Sequence, residues 1–541
     1  MGEHDRGSRW VVICSLGVLA VFTLAAGYWS RPAAPSAKVI VIRAPLPAKA
    51  GIELWLSTAD RRLRLAQQPD IEMSAHEASP VDVVIDIHKT YQSIVGFGAA
   101  LTDASAWLIQ NKLDEGQRSA LLHELFGPPP GLDLNMTRLT IGASDFSLQQ
   151  YTLDDLPAGE VDPTLQHFNV TSNLRDVIPT VREALAINPQ LRIIASPWSA
   201  PAWMKTNANL LGGELLEQYE STYADYLLRY VDTYRRYGIP IFALTLQNEP
   251  GFIPVTYPGM DLPVSTRARI VAQYLGPALA RRKPRTRILD WDHNWDDPQQ
   301  PLSMLADPEA ARYIDGVAWH CYRGSPGAQS QVHRAFPKKD AYITECSGGD
   351  WASSTNGELL WFARDLLVGG LRNWARGVVY WNLALDEQYG PHFGGCATCK
   401  GLVVIDSRTG AVSRNDEYYA FAHFSRFVLP GAVRVRSSAT DKGIDNVAFQ
   451  NASGGSVVLV MVNSNTVARR VSVMQDETSF HYTLPAQSVA TFVWDPDQAG
   501  PRVEATNSPP VTMTPAATAA SEAIGDRTAS HHGGTRTQEQ L

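Results

Sequence analysis

The sequence predicts an α/β chain: a (β/α)8 TIM barrel with an appended β-sandwich formed from both chain ends. Three observations lead there. Eight short apolar runs alternate with longer helical stretches through the middle of the chain. The stretches on either side are β-rich, with turn residues and no helices between strands. One of the intervening helices carries a stripe of tyrosines along a single face.

The eight runs are "IVGFGAA" (94–100), "TRLTIG" (137–142), "LRIIAS" (191–196), "IFALTLQ" (241–247), "RILDW" (287–291), "GVAWHCY" (316–322), "YITEC" (342–346) and "GVVYWNLAL" (377–385). Each is apolar in the way of strands buried on both faces of a parallel sheet. The segments between them are long enough for crossover helices. In "LLEQYESTYADYLLRYVDTYRRYGIP", Tyr219, Tyr223, Tyr226, Tyr230, Tyr234 and Tyr237 recur at spacings of three and four, and Gly238 with Pro240 supplies a stop. This stripe is read as packing against the barrel. Eight strand–helix units indicate a (β/α)8 barrel over residues 91–425.

The flanks hold "IELWLS" and "VDVVIDI" on one side and "NVAFQ", "SVVLVMVNSN", "RRVSVM" and "SVATFVW" on the other. Neither flank has enough strands for a sandwich alone, so residues 38–90 and 426–498 are expected to join in one module.

The ends differ in composition. Residues 10–29, "WVVICSLGVLAVFTLAAGYW", are apolar and uncharged, long enough to span a bilayer, and Arg6 and Arg9 precede them. Residues 1–37 are therefore read as a signal peptide cut near Ala25 or Ala26, or an uncleaved anchor, followed by a linker with Pro32 and Pro35. Either way the remainder is expected to be exported: secreted or periplasmic, or held at a membrane by residues 10–29. From Asp495 onward no aromatic residue occurs, and 499–541 reads as a disordered tail.

Of five cysteines, Cys14 lies in the apolar segment. "CATCK" resembles half of a zinc site, but no second pair at ligand spacing exists, and a disulfide between Cys396 and Cys399 is expected instead. The pairing of Cys321 and Cys346 is open at this point. A net charge of −8 with no long basic run argues against a nucleic-acid partner. Fourteen Trp and nineteen Tyr suit a large core and equally suit sugar rings.

In a (β/α)8 barrel the active site lies at the C-terminal ends of the strands. Glu249 follows the fourth candidate strand in "LTLQNEP", Glu345 ends the seventh in "YITECSGG", and Asp103 follows the first in "GFGAALTDASAW". Glutamates ending the fourth and seventh strands face each other across the barrel mouth. Retaining glycosidases need such a pair about 5–5.5 Å apart, one as acid/base and one as nucleophile. Asn248 is placed to donate to a sugar 2-hydroxyl, a bond that strengthens in the transition state, and Pro250 fixes the chain just past the acid.

"GFGAALTDASAW", "RLTIGASDFS", "ASPWSAPAWMKTN", "LTLQNEP", "VAWHCYRG", "YITECSGG", "VVYWNLALDEQYGP" and "YYAFAHFSRFVLPGAVRV" together resemble glycoside hydrolase family 30, the glucosylceramidase family, in order over about residues 90–440. The resemblance implies the same barrel and sandwich and retaining hydrolysis of β-linked sugars without a cofactor. It implies Glu249 as acid/base, with a raised pKa, and Glu345 as nucleophile, with a low one. Asp103 and Trp198 would bind glucose hydroxyls, Trp381 would be the apolar platform, and Asn248 would contact the 2-hydroxyl. His320 and Tyr322 would orient the nucleophile and its surroundings.

Read from the residues alone, Trp198 and Trp381 also fit barrel-mouth packing, and His320 a hydrogen-bonded core position. Arg138 fits either a charge partner of the nucleophile or a structural salt bridge. "LDWDHNWDD" (289–297) gathers acids and a histidine; it is expected to be a polar loop shaping the cleft, with no metal. "SDFSLQQYTLDD" is expected to form the far wall of the pocket. The leading substrate is a glucosylceramide-type β-glucoside, with endo-β-1,6-glucanase or β-xylosidase action as alternatives on the same scaffold. A non-catalytic carbohydrate-binding protein would differ by failing to turn over an aryl β-glucoside.

Overall fold

Eight parallel strands close a barrel: β1 (Gly96–Ala99), β2 (Met136–Ile141), β3 (Arg192–Pro197), β4 (Ile241–Thr245), β5 (Arg287–Asn294), β6 (Gly316–His320), β7 (Asp340–Glu345) and β8 (Ala375–Tyr380), with β8 paired to β1. Each falls on one of the eight predicted runs. The computed structural model describes residues 51–76, 80–351, 357–440, 442–452 and 454–496. The expectations for residues 10–29, Cys14, the linker and the tail 499–541 lie outside them. Among the described residues no helix is long and apolar enough to cross a membrane.

The barrel interior is layered by the two-residue period of its strands. Met136, Ile194, Ala243, Leu289, Ala318, Tyr342 and Val379, one from each of β2 to β8, form a buried apolar plug. One period further on stand Arg138, Ser196, Thr245, His320, Thr344 and Trp381, nearly all polar and buried. On β5 the sequence two beyond Leu289 is Trp291, and there the pattern breaks. Trp291 and Asp292 both have positive φ, 76° and 55°, and the register with β6 jumps from Ala318↔Trp291 to Trp319↔His293. Asp292 is the extra residue of a β-bulge, which turns its carboxylate inward in place of the indole. A second jump, between Trp319↔Ile343 and His320↔Glu345, skips Thr344 and brings Glu345 level with His320.

Two expectations need correction. Part of "LDWDHNWDD" is not a loop: β5 continues to Asn294. The last predicted run is divided, because Ala384–Leu385 leaves the barrel to join a small sheet with Val403–Ile405 and Val412–Arg414. The tyrosine stripe packs as expected on the helix Glu220–Arg236, with Tyr223, Tyr226, Tyr230 and Tyr234 fully buried.

The sandwich draws on both flanks. Ile52–Thr58 pairs with Ser488–Trp494, and Val83–Ser93 lies between Val433–Ser437 and Arg469–Gln475. Ala66–Ile71 and Thr478–Leu484 are additional strands. Ala66–Ile71 contains Pro69, and it sits at the sheet edge, where a missing N–H is tolerated.

His423 ties the barrel to this module. It lies on the helix Asp416–Ser425; its Nδ1 is 2.8 Å from Thr491 Oγ1 and its Nε2 2.8 Å from Ser57 Oγ, on strands from opposite chain ends. Burial pushes the imidazole down to about 3, with the Arg426 charge adding to the effect. The folded chain thus holds His423 neutral where the unfolded chain protonates it below about 6.5. Stability from this residue is complete above that pH and declines as pH falls from about 6.5 toward 3, by at most ~1.4 kcal/mol per unit. His423→Phe should remove this slope and take the acceptor from the Ser57 hydroxyl, at a cost of about 1–3 kcal/mol, while Thr491 Oγ1 keeps its bond to the backbone carbonyl of position 423. Urea midpoints measured from pH 7 to 4 on both proteins check this, and parallel pH dependences would refute it.

Candidate active site

At the C-terminal mouth of the barrel lies a cavity of about 720 Å³ whose lining includes Glu249, Glu345, Asp145, Tyr322, His293 and Trp381. Its polar floor is built around Asp292. One carboxylate oxygen, Oδ2, accepts from Arg138 Nη2 at 2.7 Å and lies 2.7 Å from the hydroxyls of Ser196 and Thr245. The other accepts from the Thr344 hydroxyl at 2.6 Å and from His320 Nε2 at 3.1 Å. Burial pushes the Asp292 carboxyl up, but the Arg138 charge and the His320 bond reverse this and hold it well below the usual carboxylate range.

Glu345 is positioned by two donors: Arg138 Nη1 at 2.5 Å to Oε2 and the Tyr322 hydroxyl at 2.9 Å to Oε1. Arg138 is therefore a charge partner of Glu345, and through Asp292 it is a buried salt bridge as well. It also donates to Asn248 Oδ1 at 2.8 Å, which leaves the Asn248 NH2 as the group able to donate. Its guanidinium lies 4.9 Å from the Trp198 ring and 5.6 Å from that of Trp381, and the two indoles stack at 5.2 Å.

Glu249 occupies a left-handed backbone conformation, φ 48°, which costs a non-glycine residue about 1–2 kcal/mol. The Asp292 carbonyl holds it there by accepting from the Glu249 N–H at 3.0 Å. Its Oε1 lies 2.9 Å from His320 Nδ1 and 3.5 Å from His293 Nδ1, the second too long for a good hydrogen bond. Glu345 Oε1 is 3.9 Å from the same His320 nitrogen. The two oxygens therefore lie no more than about 6.8 Å apart, which admits the separation of about 5–5.5 Å for retention and reaches only the lower edge of the about 6.5–9.5 Å for inversion.

The electrostatics differ from expectation at Glu249. Burial pushes its carboxyl up, but His293 and His320 more than reverse this and bring it to about 2. Burial lowers His320, while the Glu345 charge and the bonds to Asp292 and Glu249 raise it to about 9. In the free site the proton resides on His320, hydrogen-bonded to Glu249, and a raised Glu249 is corrected accordingly. The donor atoms of Glu249, His293 and His320 lie within 4.8 Å of one another. His320 directs both ring nitrogens at carboxylates, so these residues form a proton-sharing cluster.

Asp103 does not line the cavity. Its Oδ2 accepts from Ser147 Oγ at 2.7 Å and Tyr151 OH at 2.9 Å, within the loop that follows β2. The carboxylate that this loop presents to the cavity is Asp145, in the stretch expected to form the far wall. Burial and the Glu345 charge push Asp145 well above its ordinary value. Gly395 abuts it: a Cβ there would come within 2.4 Å of the Asp145 Cβ. Cys396 and Cys399, joined in the expected disulfide, continue this wall. A second disulfide joins Cys321 to Cys346, each one residue beyond His320 and Glu345. Asp292 and His293 were missed as site residues because a bulge has no sequence signature; the signal within reach was an acid-rich end to a barrel strand.

The glycosyl hydrolase family 30 TIM-barrel domain matches residues 94–428, and the family's beta sandwich domain matches 431–492. The endo-1,6-beta-D-glucanase neg1 of Aspergillus fumigatus is 37% identical over 76% of this chain and 87% of its own length. The lysosomal acid glucosylceramidase of Mus musculus is 28% identical over 75% of this chain and 82% of its own. Among solved structures, the endo-beta1,6-glucanase BT3312 superposes with a TM-score of 0.75 at 30% identity, covering 82% of this chain and 99% of that one. The chain belongs to glycosyl hydrolase family 30 and is a glycoside hydrolase.

Proposed function

We propose that the protein is a retaining β-glucoside hydrolase whose own substrate is a β-1,6-linked glucan. The observation that carries the choice of substrate is the greater identity to the fungal endo-1,6-beta-D-glucanase than to the glucosylceramidase. A glucosylceramide is the second reading, supported by the apolar rim residues Phe252, Ile253 and Val255, which are exposed around the cavity.

Ionised Glu345, aligned by Arg138 and Tyr322, attacks the anomeric carbon. The leaving oxygen takes a proton from Glu249, and a covalent glycosyl-enzyme forms. The proton originates in the His320–Glu249 pair, which holds one proton between Nδ1 and Oε1 and acts as a unit. Loss of the Glu345 charge on glycosylation removes the largest influence raising His320. Glu249 then accepts a proton from water, which attacks and releases the sugar with retained configuration. Asp145 and the Asn248 NH2 face the sugar hydroxyls, and Trp381 its apolar face. Export is supported by the two disulfides, which pair every cysteine among the described residues. Residues 10–29 would direct it.

Full-length protein given a β-1,6-glucan and a glucosylceramide in parallel should release sugars from the glucan, first as the β-anomer. Glu345→Gln should be at least ~10³-fold slower. Glucose from the lipid alone would replace the first substrate reading by the second, and initial release of the α-anomer would refute retention. The free-enzyme acid requires His320 protonated, so the alkaline limb of kcat/KM should fall as pH rises through about 9. A profile that stays level to pH 10.5 would remove the shared proton from the mechanism. Expression in a bacterial host with intact-mass analysis should find the protein outside the cytoplasm with no free thiol at Cys321, Cys346, Cys396 or Cys399. Cytoplasmic, reduced protein would overturn export.

A further inference from the structure

Residues 142–170, between β2 and the helices that follow it, contain no strand or helix of their own. Within this loop Asp154 is fully buried, and neither of its carboxylate oxygens has a hydrogen-bond partner. A carboxylate removed from water without a partner is costly, and native chains seldom retain one. Nearby donors are turned elsewhere: Trp203 Nε1 donates to the Asp154 backbone carbonyl at 3.0 Å, and Thr152 is held by Asp155. What the Asp154 carboxylate does face is a second acid and an imidazole. Asp162, itself buried, accepts from the His167 backbone N–H at 2.7 Å and lies 3.0 Å from His167 Nδ1. One ligand atom from each of the three lies within 4.8 Å of the others.

We propose that Asp154, Asp162 and His167 form a binding site for a first-row divalent cation of the Zn²⁺ type. Two carboxylate oxygens and one imidazole nitrogen are the mixed donor set such ions take, whereas Ca²⁺ and Mg²⁺ favour oxygen alone. Tetrahedral bonds of about 2.0–2.2 Å place ligand atoms about 3.3–3.6 Å apart, so atoms within 4.8 Å of one another need close by at most about 1.5 Å onto the ion. The His167 side chain is 65% exposed, which provides an entry path and room for water to complete the coordination. Arg229 caps the turn between Asp162 and His167, donating to the carbonyls of Thr164 and Leu165 at 2.7 Å. Its charge opposes a cation, and two carboxylates offset it. None of the three ligands lines the Glu249–Glu345 cavity, so the site is structural: it would pin the loop that carries Asp145.

The test needs no glycosidase activity. Full-length protein stripped with a chelator is titrated with ZnCl₂ by calorimetry and melted with and without Zn²⁺, alongside His167→Ala and Asp154→Asn. His167 is exposed, so its variant keeps the fold. Zn²⁺ should raise the Tm of the wild type by several degrees, and His167→Ala should bind one equivalent fewer and lose that rise. Asp154→Asn removes an unpaired buried charge; stripped of metal it should melt no lower than wild type, and Zn²⁺ should add nothing. Zn²⁺ held elsewhere on the chain cancels in these differences. Equal stoichiometry and equal Tm rise in wild type and His167→Ala would overturn the site. A response to Ca²⁺ or Mg²⁺ in place of Zn²⁺ would overturn the class of ion.

Discussion

The buried carboxylate of Asp292 is the constraint on which the rest of the site depends. Its side chain on β5 receives Arg138 from β2, Ser196 from β3, Thr245 from β4, His320 from β6 and Thr344 from β7. Its carbonyl holds the backbone of Glu249 in a conformation that a non-glycine residue otherwise avoids. An isolated carboxylate in this position would cost several kcal/mol, and removing one member of such a buried set costs about 3–5 kcal/mol because the remainder is left unpaired. The network therefore has one arrangement of low energy. In that arrangement Arg138 reaches Glu345 while His320 reaches Glu249. Geometry at Glu249 and Glu345 is inherited from a residue that does not line the cavity.

The same arrangement separates the two glutamates chemically. Glu345 faces a guanidinium, which keeps its proton at every accessible pH, and a phenol whose ionisation burial and the two glutamate charges oppose. Neither of these two donors gives up its proton readily. Glu249 faces the His320 imidazole, a group able to take up and release a proton. A partner that cannot titrate and a partner that can are enough to divide two identical side chains into two roles. The raised Glu249 carboxyl that the resemblance implies is replaced here by a proton shared with the His320 imidazole.

Most of the fold was legible because its signals are local and repeated. Eight buried runs, a tyrosine stripe at helical spacing and turn-separated strands at both ends each report packing through period alone. Glu249, Glu345, Asn248, His320, Tyr322 and Trp381 were legible because each sits at or just past the end of a predicted strand. What escaped was set by register. Asp292 faces inward only because a bulge shifts β5 by one residue; without it Trp291 would enter the polar layer and Asp292 would point outward. Asp103 and Asp145 look alike in sequence, both acids shortly after a strand, and only the path of the loop after β2 decides that one hydrogen-bonds within the loop and the other opens on the cavity. Ala66–Ile71 escaped because Pro69 and two glutamines give it no strand pattern.

The layering of the barrel also explains how one chemistry can be kept while the substrate changes. The apolar plug and the polar layer above it come from the strands, where each inward residue is fixed by its neighbours on adjacent strands. The rim of the cavity comes instead from loops: Phe252, Ile253 and Val255 after β4, Trp351 after β7, and the disulfide-closed Cys396–Cys399 turn after β8. Val255 is 82% exposed, so its exchange would leave the Asp292 network intact; Trp351, 58% exposed, rests its ring against Gly349. Aromatic and aliphatic groups of this kind offer stacking faces to a second sugar and an apolar wall to a lipid chain alike. An exposed rim position such as Val255 can therefore be exchanged at little cost in stability, whereas a member of the buried Asp292 network cannot.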